Sequence, residues 1–162
     1  MAKESTFDIV SEVDKQEVAN AVNQAFKEIQ QRYDFKGTGA TIEHTENTIE
    51  LSANAEERVK AALDVLQSKL VRRGISLKSL DAADPVAQGK QYKISAIIKE
   101  GIDQPTAKKI SRLIREDGPK SVKANIQGDQ LRVTSKSRDD LQTTITMLRD
   151  FEDAALQFIN FK

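Results

Sequence analysis

The sequence predicts an α+β chain built from two copies of one pattern: strand, helix, strand, strand, helix, strand. Two observations predict it. Residues match at a constant offset of 82 positions: Ile49 with Leu131, Leu51 with Val133, Ser52 with Thr134, then Val59, Leu63 and Leu66 with Leu141, Ile145 and Leu148, and Leu77 with Ile159. Each match also falls at the same point of an alternating strand followed by a helical repeat. That order of elements is the split βαβ, ferredoxin-like arrangement (βαββαβ). Each copy would form an antiparallel four-stranded sheet with two helices on one face and the other face open. The copies are expected at residues 1–90 and 91–162.

In the first copy, Thr6–Val10 is a short strand, with Phe7 and Ile9 on one face and Asp8 and Val10 on the other. Ser11-Glu-Val-Asp14 supplies helix-start chemistry for a helix to about Arg32, whose apolar side is Val18, Val22, Ala25, Phe26 and Ile29. Thr41–His44 and Thr48–Ser52 read as a hairpin. Asn54 with Glu57 resembles a capping box before a helix that ends at Arg73-Gly74. Ile75–Leu80 is expected as a strand and 81–90, with its Asp-Pro and Gly, as a linker.

In the second copy, Gln91–Lys99 is the longest strand, with Tyr92, Ile94, Ala96 and Ile98 on one face. Asp103-Gln-Pro-Thr opens a helix with Ala107, Ile110, Leu113 and Ile114 on its apolar side, stopped by Gly118-Pro119. Ala124–Ile126, Gly128-Asp129 and Leu131–Val133 form a second hairpin. Ser137 and Asp140 cap the last helix, which carries Leu141, Ile145 and Leu148. Leu156–Phe161 closes the chain as a strand.

Composition narrows the function. Of 162 residues, 38% are hydrophobic and 31% charged, which suits a soluble domain pair with modest cores. No apolar run approaches the ~20 residues of a membrane helix, and the N-terminus lacks the apolar segment of a signal peptide. These absences point to the cytoplasm. With no cysteine and a single histidine, His44, neither thiolate chemistry nor a His-based triad or metal site is expected. No Walker A or dinucleotide loop occurs. The chain reads as a non-enzymatic protein that needs no cofactor.

Net charge is zero but uneven. Residues 1–90 carry 12 basic and 15 acidic residues, while 91–162 carry 13 and 10. On the open face of the second hairpin, alternation places Lys123, Asn125, Arg132 and Thr134 together, with Lys136 and Arg138 just beyond. The matching face in the first copy shows Thr48, Glu50 and Ser52, joined by Thr41 and Glu43, and is polar and partly acidic. Cations and amides with few carboxylates suit phosphate or base contacts. Lys123, Arg132, Lys136 and Arg138 would hold phosphate, helped by Thr134; Asn125, Gln157 and Asn160 would offer amides. RNA-recognition modules stack bases on sheet aromatics, but the strand 130–135 has none. Tyr92 and Phe158 read as core. Phe161, expected on the face opposite Phe158, is the better stacking ring, and Phe7 fits either role. Docking of a protein on the open sheet, or on the helix face bearing Lys108, Lys109, Arg112 and Arg115, is the alternative reading.

Several stretches together resemble the YajQ family: Phe7–Asp14, Arg32-Tyr-Asp-Phe-Lys-Gly37, Lys99–Ile102, Ala107–Ile110, Ile126–Asp129, Arg132–Thr134, Arg138–Gln142 and Gln157–Phe161. The resemblance covers nearly the whole chain. It implies two RNP-like domains that exchange their first strands, so that 6–10 would join the second sheet and 91–99 the first; Lys93 and Lys99 would then offset the first sheet's acidity, and Asp8 would sit beside Arg132 and Thr134. It also implies nucleotide or nucleic-acid binding without catalysis, in some members binding of cyclic di-GMP and action through a transcriptional regulator.

Overall fold

The computed structural model describes residues 3–162. The fold is α+β, with two antiparallel sheets and four α-helices. The chain forms two compact units: residues 13–99, and residues 100–162 together with the segment up to Glu12. Strand β1 (Ser5–Val10) belongs to the second of these.

The 13–99 unit contains α1 (Lys15–Gln31), β2 (Thr41–Thr45), β3 (Thr48–Ala53), α2 (Glu56–Arg72), β4 (Leu80–Ala82), β5 (Val86–Gln88) and β6 (Gln91–Ile98). The sheet order is β2-β3-β6-β4, with β5 also on β6. Asp14 caps α1 through Oδ1, which accepts from the amides of Gln16 and Glu17. Val18, Ala25 and Ile29 of α1 and Val59, Leu66 and Leu70 of α2 bury against Ile49, Leu51, Ile94 and Ala96 of the sheet. The Arg32–Gly37 stretch makes a single 3₁₀ turn. Arg32 holds Asp34 through Nε (3.0 Å) and Nη2 (2.7 Å) and lies over the buried Phe35 ring.

Three expectations need correction in this unit. Asn54 does not cap α2: Ala55 is the cap residue, and the Asn54 amide donates instead to the Gly37 carbonyl at 3.2 Å. The strand expected at 75–80 is shifted to β4: of these residues Leu80 alone belongs to it. Ser76 Oγ accepts from the Lys78 amide and curls Leu77–Ser79 into a 3₁₀ turn, which leaves Leu77 41% exposed and no counterpart of Ile159. The 81–90 stretch is no free linker: β5 folds back on β6 across Gly89-Lys90, with Gly89 at φ +61°.

The other unit contains β1, α3 (Gln104–Asp117), β7 (Lys123–Gln127), β8 (Gln130–Ser135), α4 (Arg138–Leu148) and β9 (Gln157–Ile159), in sheet order β7-β8-β1-β9. Asp103 caps α3 and Ser137 caps α4. The core joins Phe7 and Ile9 of β1 to Ile110 and Ile114 of α3, Leu131 and Val133 of β8, and Leu141, Ile145 and Leu148 of α4. The two sheets share one register. Leu131 and Val133 face Ile9 and Phe7, just as Ile49 and Leu51 face Ala96 and Ile94. The 82-residue repeat therefore describes real equivalence through the central strand pair and the helix that follows.

Where α3 ends, the Gly118 amide donates to the Ile114 carbonyl at 3.1 Å, and a Cβ on Gly118 would stand 2.6 Å from that same oxygen. Gly118→Ala should therefore cost about 1 kcal/mol, read as a lower denaturant midpoint with an unchanged m-value.

Candidate nucleotide-binding face

The open face of the β7-β8-β1-β9 sheet follows from strand alternation. Lys123 and Asn125 of β7 pair with Thr134 and Arg132 of β8, and these pair with Thr6 and Asp8 of β1. Lys123, Asn125 and Arg132 are exposed, as is Lys136 just past the strand. The sequence-predicted cations thus do converge, except Arg138, which lies at the first turn of α4 and donates through Nε to Ser5 Oγ at 3.3 Å.

Asp8 lies on this face opposite Arg132, where the resemblance implied it would sit, although sequence reasoning gave it no role there. It is 2% exposed. Arg132 Nε donates to its Oδ1 at 3.0 Å and Asn160 Nδ2 to its Oδ2 at 2.9 Å. The Arg132 hydrogen bond is the main reason the Asp8 carboxyl sits below the usual carboxylate range; burial opposes it and Asn160 adds to it. The same bond, together with the Asp8 charge, holds Arg132 still more firmly protonated. Only Nε of Arg132 is engaged among the described residues, so its Nη groups remain available to an outside acceptor. The available signal in the sequence was an acid set in an otherwise apolar strand, Phe7-Asp-Ile-Val10.

Both predicted amides of β9 and its flank are engaged within the fold. Gln157 Nε2 donates to the Glu12 carbonyl at 2.9 Å and its Oε1 accepts from the Glu12 amide at 2.8 Å. Asn160 is tied to Asp8. It is also the reason that Phe161 departs from expectation. Asn160 has φ +58°, and the Lys162 backbone exchanges both hydrogen bonds with Thr6 while Ile159 stands opposite Asp8. Three residues on this strand thus answer two on β1, a bulge. The extra residue turns Phe161 to the same side as Phe158. Its ring stacks on Phe7 at 5.8 Å, while Phe158 meets Phe7 edge-on at 5.9 Å. Phe7 is fully buried and offers no ring face to a ligand, whereas Phe161 is 58% exposed.

The equivalent positions in the 13–99 unit are more acidic, with Lys93, opposite Ser52, as the cation on that face. Glu43 faces Glu50, and Glu50 faces Ser95, where the other sheet has Asn125, Arg132 and Asp8. Two carboxylates opposite one another repel each other and any phosphate. His44 Nε2 contacts the Glu46 carbonyl of its own hairpin at 2.7 Å, and among the described residues no group of acids and histidines could hold a metal ion. Among the described residues no helix is long and apolar enough to cross a membrane.

Fold and face together define a class: a tandem ferredoxin-like protein whose two equivalent sheets carry different charges on their open faces. The chain belongs to the family described as nucleotide-binding protein YajQ-like, which matches residues 5–162. It is 62% identical over 161 residues to a nucleotide-binding protein of Streptomyces griseus and to another of Streptomyces coelicolor, covering 98% of this chain and 99% of each relative. A nucleotide-binding protein of Thermobifida fusca is 58% identical over 165 residues, with both chains fully covered.

Proposed function

We propose that this protein binds a nucleotide, without chemical turnover, on the open face of the β7-β8-β1-β9 sheet. Lys123, Arg132 and Lys136 hold the phosphates, and Thr134 and Asn125 add hydrogen bonds. The observation that carries the reading is the charge difference between equivalent faces: Lys123, Asn125, Arg132 and an Asp8 paired to Arg132 on one, against Glu43, Glu50 and Ser95 with Lys93 on the other. The names of the relatives point the same way. Cyclic di-GMP, with two phosphates to meet spread cations, is the ligand we favour over RNA, since β8 has no ring on which to stack successive bases. The protein would act in the cytoplasm as an effector on gene expression through a transcriptional regulator. An acidic surface of that partner fits the outer side of α3, where Lys108, Arg112 and Arg115 are exposed and form no ion pair among the described residues.

The test avoids Arg132, whose loss would leave Asp8 buried without its main partner. The Lys123→Ala/Lys136→Ala double variant should bind cyclic di-GMP about tenfold more weakly than wild type, with a shallower dependence on salt. Calorimetric titration at two salt concentrations reads both, and chromatography of the ligand afterwards checks for turnover. Equal affinity of variant and wild type removes the open face from the reading; hydrolysed ligand removes the claim of binding without catalysis.

A further inference from the structure

The bulge that turns Phe161 inward also makes a cleft. It lies at the edge of the 100–162 unit, between the start of β1, the first turns of α4 and the residues after β9. Its volume is about 300 Å³, and Ser5, Thr6, Arg138, Leu141, Gln142, Phe161 and Lys162 line it. We propose that this cleft is a base pocket: one purine lies on the exposed face of Phe161, and Arg138 and Lys162 hold the phosphate joined to it. The proposal rests on the nucleotide-binding reading above and goes further, because it names where the base sits and how it is read.

Four observations carry it. The Phe161 ring is 58% exposed yet fixed from behind by the buried Phe7, so it is a rigid platform with one free face. Stacking of this kind is sequence-tolerant and is driven by ring area, which favours a purine. Leu141 gives the cleft an apolar wall, and Gln142, one residue on, is exposed with an amide that can both donate to and accept from a base edge. Arg138 is positioned by Ser5 through Nε alone, and no contact engages its Nη groups among the described residues. Finally, Thr6 and Lys162 tie the cleft to the sheet. Their backbones exchange two hydrogen bonds between β1 and the residues after β9, and both residues line the cleft. The volume stands at the lower end of small-molecule pockets, ~300–1,000 Å³, which admits one base. A cyclic dinucleotide would seat one base here and leave its second outside.

Asn160 becomes a positioning residue in this arrangement. Its left-handed backbone creates the bulge, and its amide, anchored on Asp8, holds it.

Titrations with GMP, AMP, cyclic di-GMP and ribose 5-phosphate test the pocket. Phe161→Ala should weaken GMP at least tenfold and leave ribose 5-phosphate unchanged, whereas Phe161→Trp should keep wild-type affinity or tighten it. Gln142→Ala, an exposed change on α4, should alter the GMP-to-AMP preference. Circular dichroism checks that each variant folds. Should Phe161→Ala not fold, the tryptophan and Gln142 variants decide. The base pocket is overturned if Phe161→Ala binds GMP like wild type, if tryptophan binds no better than alanine, or if Gln142→Ala changes neither affinity nor preference. If Lys123→Ala/Lys136→Ala still weakens GMP in that event, the open-face reading stands alone; wild type binding none of the nucleotides overturns both.

Discussion

Replacing Phe7 with alanine should destabilise the 100–162 unit by about 3–5 kcal/mol, in the range for deleting a buried ring, and leave the 13–99 unit nearly untouched. Phe7 is fully buried, faces Val133 across the β1–β8 pair and touches two further rings, Phe158 and Phe161. Its loss removes the transfer energy of one large side chain and two aromatic contacts at once. It also opens a void beneath Leu131 and Val133 that the paired strands cannot readily close. The effect is local because β1 makes its sheet contacts with β8 and β9, although in sequence it directly precedes α1. Amide hydrogen exchange separates the outcomes. Protection should fall in β8 and β9 and persist in β3 and β6. Equal loss in both sheets, or loss confined to β3 and β6, would contradict this assignment of β1.

The fold was largely legible because its signals are local. Asp14, Asp103 and Ser137 precede apolar repeats of period 3.6 and do cap helices. Alternation placed Lys123, Asn125, Arg132 and Thr134 on one face, and the strand pairing puts them there. What sequence could not show depends on longer-range facts. Nothing in Ser11–Asp14 states which sheet the preceding strand will join; only the resemblance to relatives raised that question. Asn160 enters the left-handed region at small penalty, but an asparagine near a strand end does not announce a bulge, and one inserted residue reverses every side chain beyond it. Phe161 was therefore assigned to the wrong face, and the cleft it forms with Arg138 and Gln142 could not be foreseen.

The two sheets also show how one register carries different chemistry. Their cores match position by position, Ile49 with Leu131 and Leu51 with Val133. Burial constrains those positions in both copies. The open faces escape that constraint, so Glu50 and Arg132 can occupy equivalent places. Asp8 is the exception: it stands on the open face and yet is as buried as the core. A carboxylate there is tolerated because its two oxygens meet two donors.

That arrangement sets the sign of the remaining effect. Asp8→Asn keeps the shape but removes the charge, so Arg132 loses an ionic acceptor and one amide hydrogen must point at a donor. The expected loss is about 2 kcal/mol at neutral pH, the scale of a hydrogen bond to a charged group. The pH dependence follows from the lowered pKa of Asp8 in the folded protein, caused first by Arg132. A depressed carboxyl stabilises the fold above its unfolded pKa, near 3.9 for Asp, and that stabilisation disappears as pH falls through the folded value. Wild type should therefore exceed Asp8→Asn by a constant margin from about pH 5 upward, and the margin should shrink below about pH 4. Urea titrations of both proteins between pH 3 and pH 7 measure it. A margin that stays constant down to pH 3 would show that the charge of Asp8 contributes nothing to stability.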